Sequence, residues 1–155
     1  MLTESMEDYL EMIYRLEEKK GYIKAVDLAE ALEIQASSVT KMIQKLDKAG
    51  FVNYEKYRNI ELTSSGKKYG EFLIWRDKTL KKFLKILSDQ ENIDEQVEGI
   101  EHYITPATMC LLASLINYYK NNSQALKKLN LIQKKCKVPY QESLEKLRAW
   151  EFRHS

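Results

Sequence analysis

The chain has 155 residues, 44% of them hydrophobic and 31% charged, with a formal net charge of +2; this fits a folded globular protein of one domain or two small ones. Its cysteines, Cys110 and Cys136, lie far apart outside any CxxC pattern, and no apolar run reaches membrane-spanning length. A disulfide framework, a zinc knuckle and a transmembrane protein are therefore excluded. The N-terminal residues lack the apolar stretch of a signal peptide, so we expect a cytoplasmic protein with no membrane partner. We also expect Cys110 in the hydrophobic core.

Charge is distributed unevenly along the chain. Residues 36–70 contain seven basic and three acidic side chains, whereas residues 1–24 contain six acidic and four basic ones. A basic segment beside an acidic one is what a phosphate-binding surface next to a cation site would need.

The first fifty residues predict three helices. Apolar residues at helical spacing predict a first helix that ends at Gly21 and a short second helix over 26–32. A third helix, capped by Ser37 or Ser38, ends at Gly50. The residues of this helix that are expected to face inward are Val39, Met42, Ile43 and Leu46.

A basic hairpin follows the third helix. Residues 51–55 and 59–62 alternate apolar and polar side chains like two short strands, and residues 56–58 supply their turn. Three helices followed by such a hairpin is the order of a winged helix-turn-helix.

The second half of the chain is predicted to be helical throughout. A long helix follows Thr63 and runs to about Leu87, although Gly66 and Gly70 each cost it about 1 kcal/mol. Further helices are predicted over 94–104, from Pro106 to about residue 120, and over 124–135. Residues 141–150 form one more helix or a loose tail.

The third helix has a surface that suits DNA. Its outward residues are small, polar or basic: Ser37, Ser38, Thr40, Lys41, Lys45 and Lys48. Such side chains can approach base edges and phosphates in a major groove, while Lys56 and Arg58 on the hairpin can reach neighbouring phosphates. A solvated lysine face is the alternative for the helix alone; the short preceding helix and the basic hairpin favour DNA binding.

Acidic residues and a histidine form a second constellation, with Asp8 and Glu11 in the first helix and Glu98, Glu101 and His102 in the helix predicted over 94–104. Within each helix the i, i+3 and i, i+4 spacings place these side chains on one face. Oxygen and imidazole ligands without cysteine suggest a hard or borderline divalent cation such as Mn2+. Solvated acids remain the alternative for the first helix, and spacing does not establish that the two helices meet.

Three segments together resemble one known family. Residues 36–48 (ASSVTKMIQKLDK), 54–58 (YEKYR) and 97–102 (VEGIEH) are similar, in this order, to the manganese-responsive members of the diphtheria toxin repressor family. The resemblance covers roughly residues 1–135. It implies a mostly α fold, in which a winged helix-turn-helix domain with a small β-hairpin wing is followed by a helical metal-binding and dimerisation domain. The expected boundaries are 1–71, 72–138 and, for a C-terminal tail or extra helix, 139–155.

The resemblance also implies a binuclear metal site. Matched position by position, its ligands are Asp8, Glu11, Glu98, Glu101 and His102, with Glu11 and Glu101 bridging two Mn2+ ions. The remaining family ligand is a histidine that follows an arginine, and here the pair is Arg76-Asp77. Either Asp77 coordinates, which gives two ions per subunit, or it pairs with Lys81 and leaves that subsite to water or empty; both outcomes stay open. The DNA-contacting residues implied are Ser37, Ser38, Thr40, Lys41, Gln44, Lys45, Lys56, Tyr57 and Arg58.

The function implied is that of a transcriptional repressor and not an enzyme. A homodimer is expected to bind double-stranded operator DNA when Mn2+ is bound and to silence metal-uptake genes, with no small-molecule substrate. The alternative is a winged helix regulator that responds to Fe, Zn, Cd or a different ligand, because Asp77 replaces the family histidine. A binuclear hydrolase is disfavoured because the sequence has no second histidine cluster and no convincing general acid. A purely structural metal site would predict metal-dependent stability without DNA binding.

Overall fold

Seven α-helices and one two-stranded hairpin make up the described part of the chain, which in the computed structural model comprises residues 2–55, 58–87 and 92–136. The elements in chain order are α1 (Glu4–Lys20), α2 (Ala25–Ala31), α3 (Ala36–Lys48), β1 (Val52–Asn53), β2 (Glu61–Leu62), α4 (Ser64–Leu87), α5 (Ile93–Glu98), a 3-10 turn (Glu101–Tyr103), α6 (Pro106–Asn121) and α7 (Ser123–Gln133). The predicted fold class, mostly α with a winged helix-turn-helix, is confirmed.

Helix α1 ends at Gly21 as its sequence predicts, and it begins after a Thr3 cap that was not predicted. The Thr3 hydroxyl accepts a hydrogen bond from the N–H of Met6, and Gly21 closes the helix with φ +73° while its N–H donates to the carbonyl of Glu17. Glycine suits this left-handed position because it has no Cβ to clash.

Helix α3 differs from its prediction at the start. It begins at Ala36, and Gln35 is its cap residue, without a side-chain hydrogen bond. The expected cap by Ser37 or Ser38 is wrong, because both serines already have helical backbone and a cap residue needs extended backbone. The inward face is confirmed for Val39, Ile43 and Leu46, whereas Met42 is half-buried.

The hairpin is short and antiparallel. Val52 pairs with Leu62 and Asn53 with Glu61, and an isolated bridge joins Ile23 to Ile60. This bridge, in which the N–H of Ile60 donates to the carbonyl of Ile23 at 2.8 Å, attaches the hairpin to the segment between α1 and α2.

The glycines of α4 allow close packing. A Cβ on Gly66 would lie 1.9 Å from the carbonyl oxygen of Phe51, and one on Gly70 would lie 2.6 Å from the Tyr14 ring of α1. These contacts explain why a helix of this length contains two residues of low helix propensity.

Two apolar clusters stabilise the described chain. The larger one joins the winged helix elements to the first half of α4 through Leu10, Ile13, Leu28, Ile43, Val52 and Leu73. The smaller one joins α4, α5 and the start of α6 through Leu80, Ile93, Val97 and Met109.

Two further predictions are wrong. The helix expected over 94–104 ends at Glu98, because Gly99 and Ile100 form a turn before the 3-10 segment. Cys110, expected in the core, is exposed, because the inward face of this part of α6 carries Met109.

By the density of their contacts the residues divide into two compact units, Met1–Ala113 and Ser114–Ser155. The first unit contains all six predicted metal ligands. The boundary expected at residue 72 divides the DNA-binding from the metal-binding part and not two separately packed units, so it stays a prediction. The tail expected at 139–155 lies outside the described residues. No helix in residues 2–55, 58–87 and 92–136 has the length and apolarity needed to cross a bilayer.

Candidate functional site

Close packing of α1 on α4 brings the acids of α1 to the middle of the long helix. The contact between Gly70 and Tyr14 lets the two backbones approach. Further along the two helices, Glu7 of α1 pairs with Arg76 of α4, and Arg15 of α1 pairs with Asp77 of α4. Glu11 accepts hydrogen bonds from the same Arg15.

Three of the predicted ligands converge. Asp8, Glu101 and His102 each offer one ligand atom, and these atoms lie within 4.8 Å of one another. The Nε2 atom of His102 is 3.1 Å from Asp8 Oδ1 and 3.9 Å from Glu101 Oε1. Two carboxylates and an imidazole are a donor set for a hard or borderline divalent cation.

Glu101 shows that this group fits a cation. The residue is 4% exposed, and among the described residues its Oε2 atom has no hydrogen-bond partner. Burial raises the pKa of this carboxyl to about 7, and the charges of Glu11 and Glu98 act in the same direction against Arg76. Burial likewise raises the pKa of Asp8. A divalent cation would satisfy the orphaned oxygen and relieve the repulsion.

The spacing of the acids did not identify Glu7, which contacts the Nδ1 atom of His102. Its Oε2 atom is 2.8 Å from His102 Nδ1 and accepts a hydrogen bond from Arg76 Nη1 at 2.7 Å, while Oε1 accepts one from the Tyr69 hydroxyl at 2.8 Å. Burial alone would raise the pKa of Glu7, but these bonds together lower it. The available signal was an acid three residues before Leu10, on the buried face of α1.

Histidine orientation follows from this contact. Burial alone would lower the pKa of His102, but the bond to Glu7 and the charge of Asp8 outweigh it and raise the pKa. Because Nδ1 faces Glu7, Nε2 is the ring atom directed toward Asp8 and Glu101. A carboxylate that holds the second nitrogen is the usual support of a metal-binding histidine.

The other three predicted ligands are placed differently. Glu11 accepts hydrogen bonds from Arg15, and Asp77 pairs with both Arg15 and Lys81. Glu98 is exposed at the end of α5, near enough for its charge to raise the pKa values of Asp8 and Glu101. The structure therefore brings Asp8, Glu101 and His102 together. Of the other three predicted ligands, Glu11 and Asp77 are paired to basic side chains and Glu98 is exposed.

A cleft of about 1150 Å³ opens beside the centre. Glu7, Arg76 and His102 lie on its wall, next to Tyr69 and Phe72. Its size would admit an organic effector. Glu7, Arg76 and His102 are already bonded to one another, whereas Glu4 and Lys68 also line the cleft.

The predicted DNA surface of α3 is open. Ser37, Ser38, Lys41, Gln44 and Lys45 are all exposed. Thr40 is half-buried and its hydroxyl donates to the carbonyl of Ala36 at 3.0 Å, which leaves its methyl group and oxygen lone pairs for a partner.

On the wing, Arg58 is exposed and pairs with Glu55 at 2.8 Å. Lys56 and Tyr57, the other two predicted contacts there, lie outside the described residues.

Comparison with known proteins agrees with a DNA-binding half and a metal-binding half. Residues 1–60 match the family model of the iron dependent repressor N-terminal DNA binding domain, and residues 63–130 match that of the iron dependent repressor metal binding and dimerisation domain. The chain is 46% identical to the HTH-type transcriptional regulator MntR of Oceanobacillus iheyensis over 147 residues, 94% of this chain and 100% of the relative. The chain belongs to the MntR group of the iron-dependent (diphtheria toxin) repressor family. Its function is that of a metal-responsive, DNA-binding transcriptional repressor.

Other relatives agree. The MntR regulator of Bacillus subtilis is 48% identical over 136 residues, 87% of this chain and 96% of the relative. Among solved structures, the manganese regulator SloR matches with a TM-score of 0.63 and 28% identity over 73% of this chain, and T. acidophilum IdeR with a TM-score of 0.63 and 25% identity over 76%. This chain spans about half of those two, 54% and 55% of their lengths.

Proposed function

We propose that this chain is a homodimeric repressor that binds operator DNA when Mn2+ is held by Asp8, Glu101 and His102. The observation that supports this site best is the buried carboxylate of Glu101, which lies in one cluster with Asp8 and His102 and whose Oε2 atom has no hydrogen-bond partner in the described part of the chain. Relatives named MntR and the likeness to the manganese regulator SloR support Mn2+ as the ion.

The donor set supports manganese on chemical grounds as well. It consists of two carboxylates and one imidazole, without the thiolates that select softer metals. Glu98 is exposed beside the three ligands and is the acid available to complete the set. Whether a second ion is held, as expected for a binuclear site, depends on whether Glu11 and Asp77 are available as ligands.

The proposed switch is a restriction of conformations. Asp8 belongs to α1 of the DNA-binding half, whereas Glu101 and His102 belong to the 3-10 turn after α5. The bound cation supplies positive charge that offsets the repulsion between Asp8 and Glu101. The ligands then connect α1 to the turn, and fewer arrangements of the DNA-binding helices remain. DNA affinity rises by the amount that the metal favours the competent arrangement.

Dimerisation supports the same proposal. The family model that matches residues 63–130 is described as a dimerisation domain. Helix α6 carries two large apolar side chains at the surface, Leu111 with 61% and Tyr118 with 54% of its area exposed. Covering these side chains with a second subunit would be favourable, because it removes apolar surface from water. In a dimer, the two α3 helices would enter major grooves about 34 Å apart or a multiple of it.

The experiment that tests this function is enrichment of genomic DNA fragments by the purified chain at one salt concentration, with and without Mn2+. We expect a few palindromic sites to be enriched only with Mn2+, and we expect those sites to lie beside metal-uptake genes in the genome. The Glu101→Gln/His102→Ala double variant should enrich none of them. Equal enrichment with and without metal would contradict the proposal. Enrichment with Fe2+, Zn2+ or Cd2+ but not with Mn2+ would show that one of those ions, and not Mn2+, is the effector.

A further inference from the structure

We propose that each subunit binds one divalent ion rather than two, because Arg15 and Lys81 supply the positive charge that a second ion would bring. This inference rests on the proposed repressor function and concerns the same region of the molecule. It follows from how the two basic side chains contact Glu11 and Asp77.

Arg15 joins the two acids. Its guanidinium donates to Glu11 Oε1 from Nη2 at 2.6 Å and from Nε at 2.9 Å, and its Nη2 atom is also 3.4 Å from Asp77 Oδ2. One guanidinium therefore spans a carboxylate of α1 and a carboxylate of α4. These are two of the side chains expected to ligate ions.

Lys81 neutralises the other side of Asp77. Its ammonium lies 2.8 Å from Asp77 Oδ1 and 2.7 Å from Asp94 Oδ1. Asp77 is 9% exposed and each of its two oxygens faces one cation. A divalent ion would have to displace at least one of these pairs and leave a basic group beside the incoming charge, which is unfavourable.

The contrast with the first site lies in how the carboxylate oxygens are paired. Glu11 accepts hydrogen bonds from Arg15, and both oxygens of Asp77 face a basic side chain, Arg15 on one side and Lys81 on the other. In the group of Asp8, Glu101 and His102, the Oε2 atom of Glu101 has no hydrogen-bond partner among the described residues. Arg76 Nη2 lies 3.6 Å from the other oxygen of Glu101, so the first region keeps one carboxylate oxygen open to a cation, whereas both oxygens of Asp77 already face basic side chains.

Asp77 is consistent with this arrangement. The position is the one where the family resemblance expects histidine. A neutral imidazole there would remove the carboxylate that Arg15 and Lys81 share and leave each with one acid, Glu11 and Asp94 respectively. The aspartate at this position therefore suits the two basic side chains that contact it.

The same cluster also ties helices together. Arg15 links α1 to α4 through Asp77, and Lys81 links α4 to α5 through Asp94. These links need no metal ion. The metal then controls only the connection of Asp8 to Glu101 and His102.

The first test counts bound ions on the full-length chain. Equilibrium dialysis against Mn2+ with elemental analysis should give one ion per subunit, and the electron paramagnetic resonance spectrum should show the six-line pattern of an isolated Mn2+. Two ions per subunit with a spin-coupled spectrum would overturn the inference and leave the repressor function intact. No bound ion at all would overturn the proposed metal site itself.

The second test removes the two basic groups. The Arg15→Gln/Lys81→Gln variant should gain a second Mn2+, with the spin coupling of a two-ion site. The matched control, Lys19→Gln/Lys82→Gln, removes the same charge from exposed positions of the same two helices and should keep one ion. A folded Arg15→Gln/Lys81→Gln variant that still binds one ion would show that the basic side chains are not what excludes the second.

A third variant keeps the inference testable if removal of both cations unfolds the chain. Asp77→Ala should leave both the stoichiometry and the affinity for Mn2+ within twofold of the parent, because Asp77 is not a ligand. A loss of bound metal in this variant would overturn the inference.

Discussion

The carboxylate of Glu7 binds three donors that otherwise have no common partner. It contacts Arg76, Tyr69 and His102 at 2.7 to 2.8 Å and is buried. We expect Glu7→Gln to weaken Mn2+ binding by about tenfold, because loss of the carboxylate that orients a metal-binding histidine costs affinity in that range. Isothermal titration calorimetry with Mn2+ measures the change.

Glu18→Gln is the matched control, since Glu18 is exposed on the same helix. Its Mn2+ affinity should equal that of the parent chain. If Glu7→Gln also keeps parental affinity while the chain remains folded, Glu7 does not position His102, and the histidine must be oriented by Asp8 alone.

At the scale of elements, the approach of α1 to α4 depends on Gly70. A methyl group there would lie 2.6 to 2.8 Å from atoms of Tyr14. We expect Gly70→Ala to destabilise the metal-free chain by about 1 to 3 kcal/mol, the usual range for overpacking. We also expect weaker Mn2+ binding, because α1 carries Asp8. Urea unfolding monitored by circular dichroism measures the first effect, and calorimetry the second.

Gly99→Ala provides the comparison for the same chemical change. Gly99 has φ −69°, and its added Cβ would meet only ordinary contacts of 3.5 Å or more. Stability should be unchanged or increase by up to about 1 kcal/mol. If Gly70→Ala were equally harmless, helix α1 would have room to move away from α4 at no cost, and the close approach would not be what places the ligands.

A further prediction concerns the basic face of α3. Lys45→Ala should weaken binding to every DNA sequence by a similar factor and reduce the slope of log affinity against log salt by about 1, because one phosphate contact is lost. Fluorescence anisotropy with a labelled operator at several salt concentrations measures this slope. Lys82→Ala, on the exposed face of α4, should leave the slope unchanged. A loss confined to one operator sequence would instead mean that Lys45 reads a base.

Local spacing predicted the elements better than their connections. The apolar period of α1, the long α4 and the start of α6 at Pro106 follow from local rules of period and capping, and the structure confirms them. The turn at Gly99 was not predicted because Glu98, Glu101 and His102 also fit an uninterrupted helix. The Ile23–Ile60 bridge was missed because its two residues are distant in the chain.

The candidate site shows the same division. The acids and the histidine were recognisable by residue type, and the resemblance supplied the expectation that α1 would meet the later segment. The partners were not recognisable, since Arg15 and Lys81 look like ordinary solvated bases in their own helices. Glu7 reads as one more acid in an acidic first turn, and only its burial against Arg76 distinguishes it.

For the whole molecule, the proposed switch implies that metal and DNA act on one equilibrium among arrangements of the dimer. Asp8 lies in the DNA-binding half, while Glu101 and His102 lie after α5. A ligand that favours the arrangement in which these residues meet must also increase the affinity for the other ligand, because the binding free energies of metal and DNA are linked.

Operator DNA is therefore expected to tighten Mn2+ binding by the same factor by which Mn2+ tightens operator binding, about 10- to 100-fold for a coupling of ordinary size. Titrations with Mn2+ in the presence and absence of saturating operator measure one side of this cycle, and DNA titrations with and without Mn2+ measure the other. Both are done at protein concentrations where the dimer is complete, so that subunit association does not contribute. A scrambled duplex of the same length should tighten Mn2+ binding much less. If Mn2+ raises operator affinity while saturating operator leaves Mn2+ affinity unchanged, the metal promotes DNA binding outside this cycle, for example by aggregating the protein on DNA.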